Sequence, residues 1–340
     1  MTNYFDYQYL SDTRSYYYEM ARKAKQLFRY RQFYAITTSV ERVLKNYFDQ
    51  EDREEFFLEY FSQRKIPTHD SLIAEREYNT IVTSDLNETL SGDNYMLLCF
   101  HLGAYRSFIN HLVALGKDFT LVVNNNLYQN DKGIDRAISQ TKELFDSKSK
   151  VTILNAEEPS TGIKLYKRME TSTIVAFVDG NTGIGGHYNK SNSYKITFGG
   201  EPFFVRKGLI ELALRRGVKI YSALNYYDKD YQIIYKQLDV PKNIKSGVEL
   251  TQSLYSQFES FLKDYPLQWE GWMHAYRHME FGPDDLEVDD MIDNFCDSKY
   301  GLFVIDEGPF LFSKHSFRSY SISQEDFESL INKSELLSAA

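Results

Sequence analysis

This chain of 340 residues is poor in the residue types that mark disordered, fibrous and disulfide-stabilised proteins. It has 7 Pro, 18 Gly and 2 Cys, whereas 42% of it is hydrophobic. That composition excludes a disordered or collagen-like chain. Cys99 and Cys296 are too few for a disulfide framework and lack the spacing of a metal site. We therefore expect a globular protein of a reducing compartment, without a metal.

The chain also lacks an excess of positive charge and any long apolar run. Its formal net charge is −9 and no block of six like charges occurs, so no broad face attracts a phosphate backbone or an anionic membrane. The densest apolar stretches, Tyr95 to Phe100 and Ile174 to Val178, are far shorter than the roughly 20 residues of a membrane-spanning helix. The first ten residues do not resemble a signal peptide. We expect a cytoplasmic protein with at most peripheral membrane contact and no nucleic-acid partner.

Three regions differ in their patterns. Residues 1–90 are aromatic and charged, with apolar residues at helical spacing around Met20–Phe28, Ile36–Tyr47 and Phe56–Phe61, and this predicts a helical cap. Residues 281–340 begin with an acidic run, Pro283–Asp290, which we interpret as a solvated linker. They continue with a hairpin (Leu302–Ile305 and Phe310–Phe312) and a helix capped at Ser323, and so predict a C-terminal α+β appendage.

Between these regions, in residues 91–280, short apolar runs alternate with amphipathic stretches. Six runs are predicted as strands: Tyr95–Phe100, Phe119–Val123, Val151–Leu154, Thr173–Val178, Val218–Leu224 and Tyr231–Leu238. Helical patterns lie between them, two of which should stop at Gly116 and Gly217, and a longer helix precedes Pro266. Alternating strands and helices predict an α/β fold whose mostly parallel central sheet is flanked by helices.

The first candidate site lies at the end of the first predicted strand. His101 follows the apolar run directly, and Gly103 permits a tight turn before Tyr105 and Arg106, where a helix begins. Sites of parallel sheets gather at the carboxyl ends of strands, and a helix start presents free amides. Because histidine titrates near neutral pH, His101 can accept a proton from an attacking hydroxyl or amine. We predict a general base beside an oxyanion site around Gly103; a structural histidine is the alternative.

Two further segments carry polar residues next to apolar ones. Asp179 and Asn181 follow a strand and precede the glycine-rich run Gly183–His187; Asp179 is suited to orient a histidine or bind an acceptor. The glycine run lacks dinucleotide and phosphate-loop spacing, so it can equally be a surface loop. Beyond Gly200, Pro202 is typical of a first helical turn, which would place Arg206 near a helix start suited to a phosphate or thioester oxygen. A solvated basic pair, Arg206 and Lys207, is the alternative.

Motifs for covalent or metal-dependent hydrolysis are missing. The chain has no G-x-S-x-G elbow, no H-E-x-x-H and no cysteine in a catalytic setting. Of these mechanisms, the one that remains is direct attack of the acceptor on the substrate, assisted by one histidine.

The ordered set of segments over roughly residues 92–280 resembles the lysophospholipid acyltransferase superfamily, in particular the lipid A biosynthesis (lauroyl/myristoyl) acyltransferase branch. His101-Leu-Gly103-Ala-Tyr105 is similar to the family's His-Phe-Gly-Asn-Trp. The other matching segments are Asn125–Tyr128, Val178–Asn181, Phe198–Pro202, Leu212–Val218 and Gln268–His274. The resemblance implies a glycerolipid acyltransferase-like fold and transfer of an acyl group from a carrier-protein or coenzyme A thioester, as co-substrate, to a hydroxyl or amine.

On that basis His101 would be the base, Asp179 would orient it or the acceptor, and Gly103, Tyr105, Arg106, Asn181, Gly200 and Arg206 would bind substrate. The partners would be acyl carrier protein and a small-molecule, lipid or peptide acceptor, with no bound cofactor. Members of this branch usually carry an N-terminal membrane helix where this chain has its charged cap. The acceptor is therefore expected to be soluble or carrier-bound.

The sequence departs from the family at Arg106. The family motif is His, four residues, then Asp or Glu, and a cation there lowers the basicity of His101. Three explanations remain open: another carboxylate such as Asp179 replaces the partner, Arg106 binds an anionic acceptor or a phosphopantetheine phosphate, or the site is inactive. The last defines a rival hypothesis, a carrier-protein or peptide binding module that would use the hairpin edge at residues 302–312.

Overall fold

The computed structural model describes residues 12, 14–20, 31–49, 52–64, 86–130, 132–180, 190–244, 246–305 and 308–338. Within these ranges, every helix is too short or too polar to cross a membrane. Several predicted features lie outside the described residues: the helical segment from Ala24 to Phe28, Asn181, the Gly183–His187 run, and the hairpin turn at Asp306 and Glu307.

A six-stranded sheet lies at the centre of the described chain, in the order β3-β2-β4-β1-β7-β8. The first eight strands are β1 (Tyr95–Cys99), β2 (Phe119–Val123), β3 (Val151–Asn155), β4 (Thr173–Phe177), β5 (Ser193–Phe198), β6 (Glu201–Arg206), β7 (Lys219–Tyr227) and β8 (Ile233–Leu238). All neighbours in the sheet are parallel except β7 and β8, while β5 and β6 form a separate antiparallel ribbon. The predicted mostly parallel α/β sheet is confirmed.

Helices cover both faces of this sheet. They are α1 (Arg31–Val43), α2 (Arg53–Gln63), α3 (Leu86–Ser91), α4 (Ser107–Ala114), α5 (Asn125–Asn130), α6 (Lys132–Leu144), α7 (Thr161–Arg168), α8 (Gly208–Arg216) and α9 (Gly247–Leu262). Two later helices, α10 (Val288–Asp293) and α11 (Gln324–Ser338), pack instead on the C-terminal strands. As predicted, α8 ends at Gly217, which is left-handed with φ 66°, and Ser323 caps α11 by accepting from the amide of Asp326.

Strand β1 shows how the two faces are filled. Its five residues are all buried, and alternate side chains enter two different hydrophobic clusters, as a strand covered on both sides requires. Tyr95, Leu97 and Cys99 pack with α3, α4 and α6, whereas Met96 and Leu98 pack with α1, α2 and α9. The helices α1 and α2 of the predicted cap therefore share one continuous core with the sheet.

The C-terminal residues form a three-stranded antiparallel sheet of β9 (Tyr300–Ile305), β10 (Gly308–Ser313) and β11 (Ser319–Ser321). The hairpin was predicted; β11 was not. The Tyr34 hydroxyl from α1 donates to the carbonyl of Leu302 at 2.9 Å and accepts from its amide at 3.1 Å. At this residue, therefore, the β9 edge is occupied by the helical region rather than open to an extended partner.

One local prediction holds only in part and another is wrong. Most of the acidic run is exposed, as in a solvated linker, but the Asp284 carboxylate accepts hydrogen bonds from Ser313, Ser316 and Tyr320, and α10 begins at Val288. Pro202 does not begin a helix but lies in β6, opposite Thr197. The reason is the Gly199-Gly200 pair, which closes a two-residue hairpin with φ of 63° and 78°, both in the left-handed range that such turns demand.

The hairpin turn packs directly on the end of α1. A Cβ at Gly199 would lie 2.2 Å from the Cα of Val43, whereas a Cβ at Gly116, also left-handed with φ 68°, would meet nothing within 4 Å. We expect Gly116→Ala to cost about 1–2 kcal/mol of unfolding free energy, from backbone conformation alone. Gly199→Ala should cost about 1–3 kcal/mol more, because backbone must move. Urea unfolding measures both, and equal losses would show that this contact is unimportant.

Candidate active site

The sheet register brings His101 and Asp179 together. Strands β1 and β4 are parallel neighbours with Cys99 opposite Phe177, so the same register continued two residues further places His101 opposite Asp179. The Val178 amide, which donates to the carbonyl of Cys99 at 2.9 Å, continues the pairing. Because both strands end here, the two side chains leave the sheet at its carboxyl edge, where sites of parallel sheets form.

The Asp179 carboxylate accepts three hydrogen bonds. Oδ1 lies 2.8 Å from the ring Nδ1 of His101, and Oδ2 accepts from the His101 amide at 2.9 Å and from the indole Nε1 of Trp269 at 2.7 Å. The Asp179 side chain is only 1% exposed, whereas that of His101 is 29% exposed. An ionised carboxylate only accepts hydrogen bonds, so Nδ1 carries the proton. The Nε2 atom of neutral His101 is then the free base.

Electrostatics reinforce this arrangement. Burial lowers the pKa of His101, but the charge and hydrogen bond of Asp179, aided by Glu270 and opposed by Arg106, bring it above its ordinary value. Burial raises the pKa of Asp179, yet the charge of His101 and the three donated hydrogen bonds keep it below its ordinary value. The pair therefore favours an ionised Asp179 and an imidazolium that is stabilised whenever His101 takes up a proton.

Aromatic side chains fix the imidazole. The Phe177 ring stacks on His101 with centroids 4.4 Å apart, and Tyr105 meets it edge to face at 4.9 Å. The Tyr105 hydroxyl accepts from Nε of Arg106 at 3.4 Å and also hydrogen-bonds Glu270. Burial raises the pKa of Glu270, but His101 and Arg64 lower it overall, so a second ionised carboxylate lies near His101. The imidazole therefore has two acidic neighbours, Asp179 and Glu270, which offset the positive charge of Arg106.

The role of Trp269 was not predicted from the sequence, although the segment Gln268–His274 is part of the family resemblance. Residues Leu102 and Trp269 form an isolated antiparallel bridge, in which the Glu270 amide donates to the carbonyl of His101 at 2.9 Å. The Gln268 side chain donates to the carbonyl of Tyr227 and accepts from its amide, as a strand residue would. This segment thus ties the His101 loop to the end of β7 and places an indole on Asp179.

The site opens into a cavity of about 770 Å³. Much of its wall is apolar, with side chains from β1, β2 and β4 and from α4, α5, α7 and α8; examples are Ile109, Leu121, Leu127, Leu165, Leu209 and Leu212. Arg106, Arg206, Lys207 and Arg215 also line it, as do Glu158, Glu211 and Glu270. Burial, with Arg277 and Arg64, lowers the pKa of His274 in the same wall to about 4, so that imidazole is neutral at pH 7.

Only some of the predicted substrate-binding residues line the cavity. Tyr105, Arg106 and Arg206 line the cavity with His101 and Asp179; Gly103 and Gly200 do not. The Gly103 amide donates to the carbonyl of Gln268 at 2.9 Å, so it is not available as the predicted oxyanion donor. A Cβ at Gly103 would lie 2.8 Å from the Cα of Tyr226, and its φ is 50°. This glycine therefore serves close packing.

The positions predicted for Gly200 and Arg206 also differ from those in the structure. Gly200 lies in the β5–β6 turn, where a Cβ would come 3.0 Å from Nζ of Lys45. Arg206 reaches the cavity as the last residue of β6 rather than from a helix start, since α8 begins at Gly208. Asn181 lies outside the described residues. The described residues contain no group of three or more His, Cys, Asp or Glu side chains placed to hold a metal ion.

No protein-family model matches the chain, and the search of curated proteins finds no significant match.

The geometry predicts that Asp179 dominates the protonation of His101. In Asp179→Asn, burial and Arg106 act on the imidazole without the facing charge, so the His101 pKa should fall below its ordinary value. Glu270→Gln is the matched control, because Glu270 acts on His101 through its charge alone, and it should cause a smaller fall. NMR titration of labelled histidine, with His101 assigned by its loss in His101→Gln, measures the pKa. An unchanged value in Asp179→Asn would refute this arrangement.

Proposed function

We propose that this protein is an acyltransferase that moves an acyl group from a carrier-protein or coenzyme A thioester to a hydroxyl or amine. The observation that carries the proposal is a His101–Asp179 pair at a cavity whose wall is largely apolar and includes several cations. We further propose that the sheet is a version of the glycerolipid acyltransferase fold, which the order of the sequence segments suggests.

The proposed chemistry needs no covalent enzyme intermediate. The Nε2 atom of His101 takes the proton of the acceptor as its oxygen or nitrogen attacks the thioester carbonyl, and a tetrahedral intermediate forms. The intermediate collapses by breaking the carbon–sulfur bond, and the imidazolium returns the proton to the leaving thiolate. Asp179 stabilises the imidazolium between these steps, as the ionised aspartate of a catalytic triad does.

The walls of the cavity suit the two ends of an acyl thioester. Leucine and isoleucine side chains can bury a hydrocarbon chain, which gains about 0.8 kcal/mol per buried methylene. Arg206 and Lys207, at the end of β6 and just before α8, are suited to a phosphate such as that of phosphopantetheine. Since the Gly103 amide is engaged, an oxyanion would need a different donor at the site.

A binding module without chemistry remains the second candidate, and one experiment separates the two. Purified protein is incubated with carrier-protein and coenzyme A thioesters of different chain lengths, with and without amine or hydroxyl acceptors, and free thiol is measured. Acceptor-dependent release supports the transferase. A stable complex without release supports the module, and release that needs no acceptor indicates a hydrolase.

The same assay tests the base directly. We expect His101→Ala to lower the rate about 10²- to 10⁴-fold, the usual contribution of a general base. His315→Ala is the control, because His315 is exposed and lies on the C-terminal sheet segment, so it should retain the full rate. Turnover that survives in His101→Ala, with the fold intact by circular dichroism, would reject the mechanism.

A further inference from the structure

Among the described residues, three groups donate hydrogen bonds to the Asp179 carboxylate, and the indole of Trp269 is the one that does not come from His101. Its indole Nε1 lies 2.7 Å from Oδ2 of Asp179, and its own exposure is 1%. At this depth water does not compete for the carboxylate, so each donor carries a substantial part of its stabilisation.

The surroundings of Trp269 hold its indole in place. Phe198 and Phe258 meet the ring edge to face at 5.6 and 5.4 Å, and Trp272 does so at 4.5 Å. The backbone on either side is pinned, because the Gln268 carbonyl accepts from Gly103 and the Glu270 amide donates to His101. The indole N–H is therefore a fixed donor rather than one of several rotamers.

We propose that Trp269 is a positioning residue for the base, which sets the strength of His101 by taking up part of the negative charge of Asp179 through its indole N–H. This inference rests on the proposed function for its catalytic meaning. A donor on the far oxygen stabilises the carboxylate and so weakens its pull on the imidazolium proton. The effect keeps more of His101 in the unprotonated form that can act as a base near neutral pH.

The test removes the N–H and keeps an aromatic ring. In Trp269→Phe, Asp179 retains its two contacts with His101, so its fuller charge should raise the proton affinity of His101 about tenfold, a pKa higher by about one. Trp272→Phe is the matched control, because it also removes a buried indole N–H but keeps an aromatic ring beside Trp269. That indole is also fully buried and donates to the carbonyl of Pro266 at 2.7 Å, away from Asp179, so the His101 titration should not move.

The readout is NMR titration of the His101 ring in the full-length protein, which needs no turnover. A higher pKa in Trp269→Phe alone supports the proposal. An unchanged or lowered pKa, or the same rise in Trp272→Phe, overturns it. If Trp269→Phe does not fold, 3-benzothienylalanine incorporated at position 269, which keeps the bicyclic shape of the indole but has no ring N–H, serves instead. The same higher pKa of His101 is expected, and an unchanged or lowered one counts against the proposal.

Where acceptor-dependent thiol release is found, its pH profile gives a second readout. The acid limb of the rate should move to higher pH in Trp269→Phe, with the rate at alkaline pH close to wild type. A loss of rate that is equal at every pH indicates only a structural role and counts against the proposal. Absence of thiol release in the wild type would refute the proposed function. The titration would still test the effect of Trp269 on His101, because it does not need turnover.

Discussion

Burial of the Asp179 carboxylate is the constraint on which the candidate site depends. A charge at this depth is tolerated only with hydrogen bonds to its oxygens and a cation-forming partner, and three donors supply them from two parts of the chain. The His101 amide, the His101 ring and the Trp269 indole must therefore all be in register. Displacement of the β1 end or of the Trp269 segment would leave a buried carboxylate without part of its hydrogen bonds.

The sheet explains why such a demanding arrangement forms reliably. Strands β1 and β4 lie side by side in its centre, between β2 and β7, and their buried side chains leave little freedom to slip. A shift of one residue would turn the apolar set of each strand to the wrong face. The core that fixes the register thus also fixes the distance between His101 and Asp179.

Strand and helix positions were predictable because apolar periodicity and glycine stops act locally, as at Gly217. His101 and Asp179 stood out for the same reason, each being a polar residue at the end of an apolar run. Their contact was not determined by periodicity, because it depends on β4 lying beside β1. The Gly103 amide was misjudged because its partner, Gln268, is distant in sequence, and Pro202 because the paired glycines before it dictate a hairpin.

The separation of Trp269 from Asp179, 90 residues along the chain, bears on how the protein is made. A ribosome that adds roughly 5–20 residues per second exposes the first four strands several seconds before the indole. During that interval the nascent sheet would hold an aspartate whose third donor has not yet been synthesised. The imidazole would reach its final protonation behaviour only when translation has passed Trp269, so a chain that ends upstream of it would hold His101 and Asp179 without the indole donor.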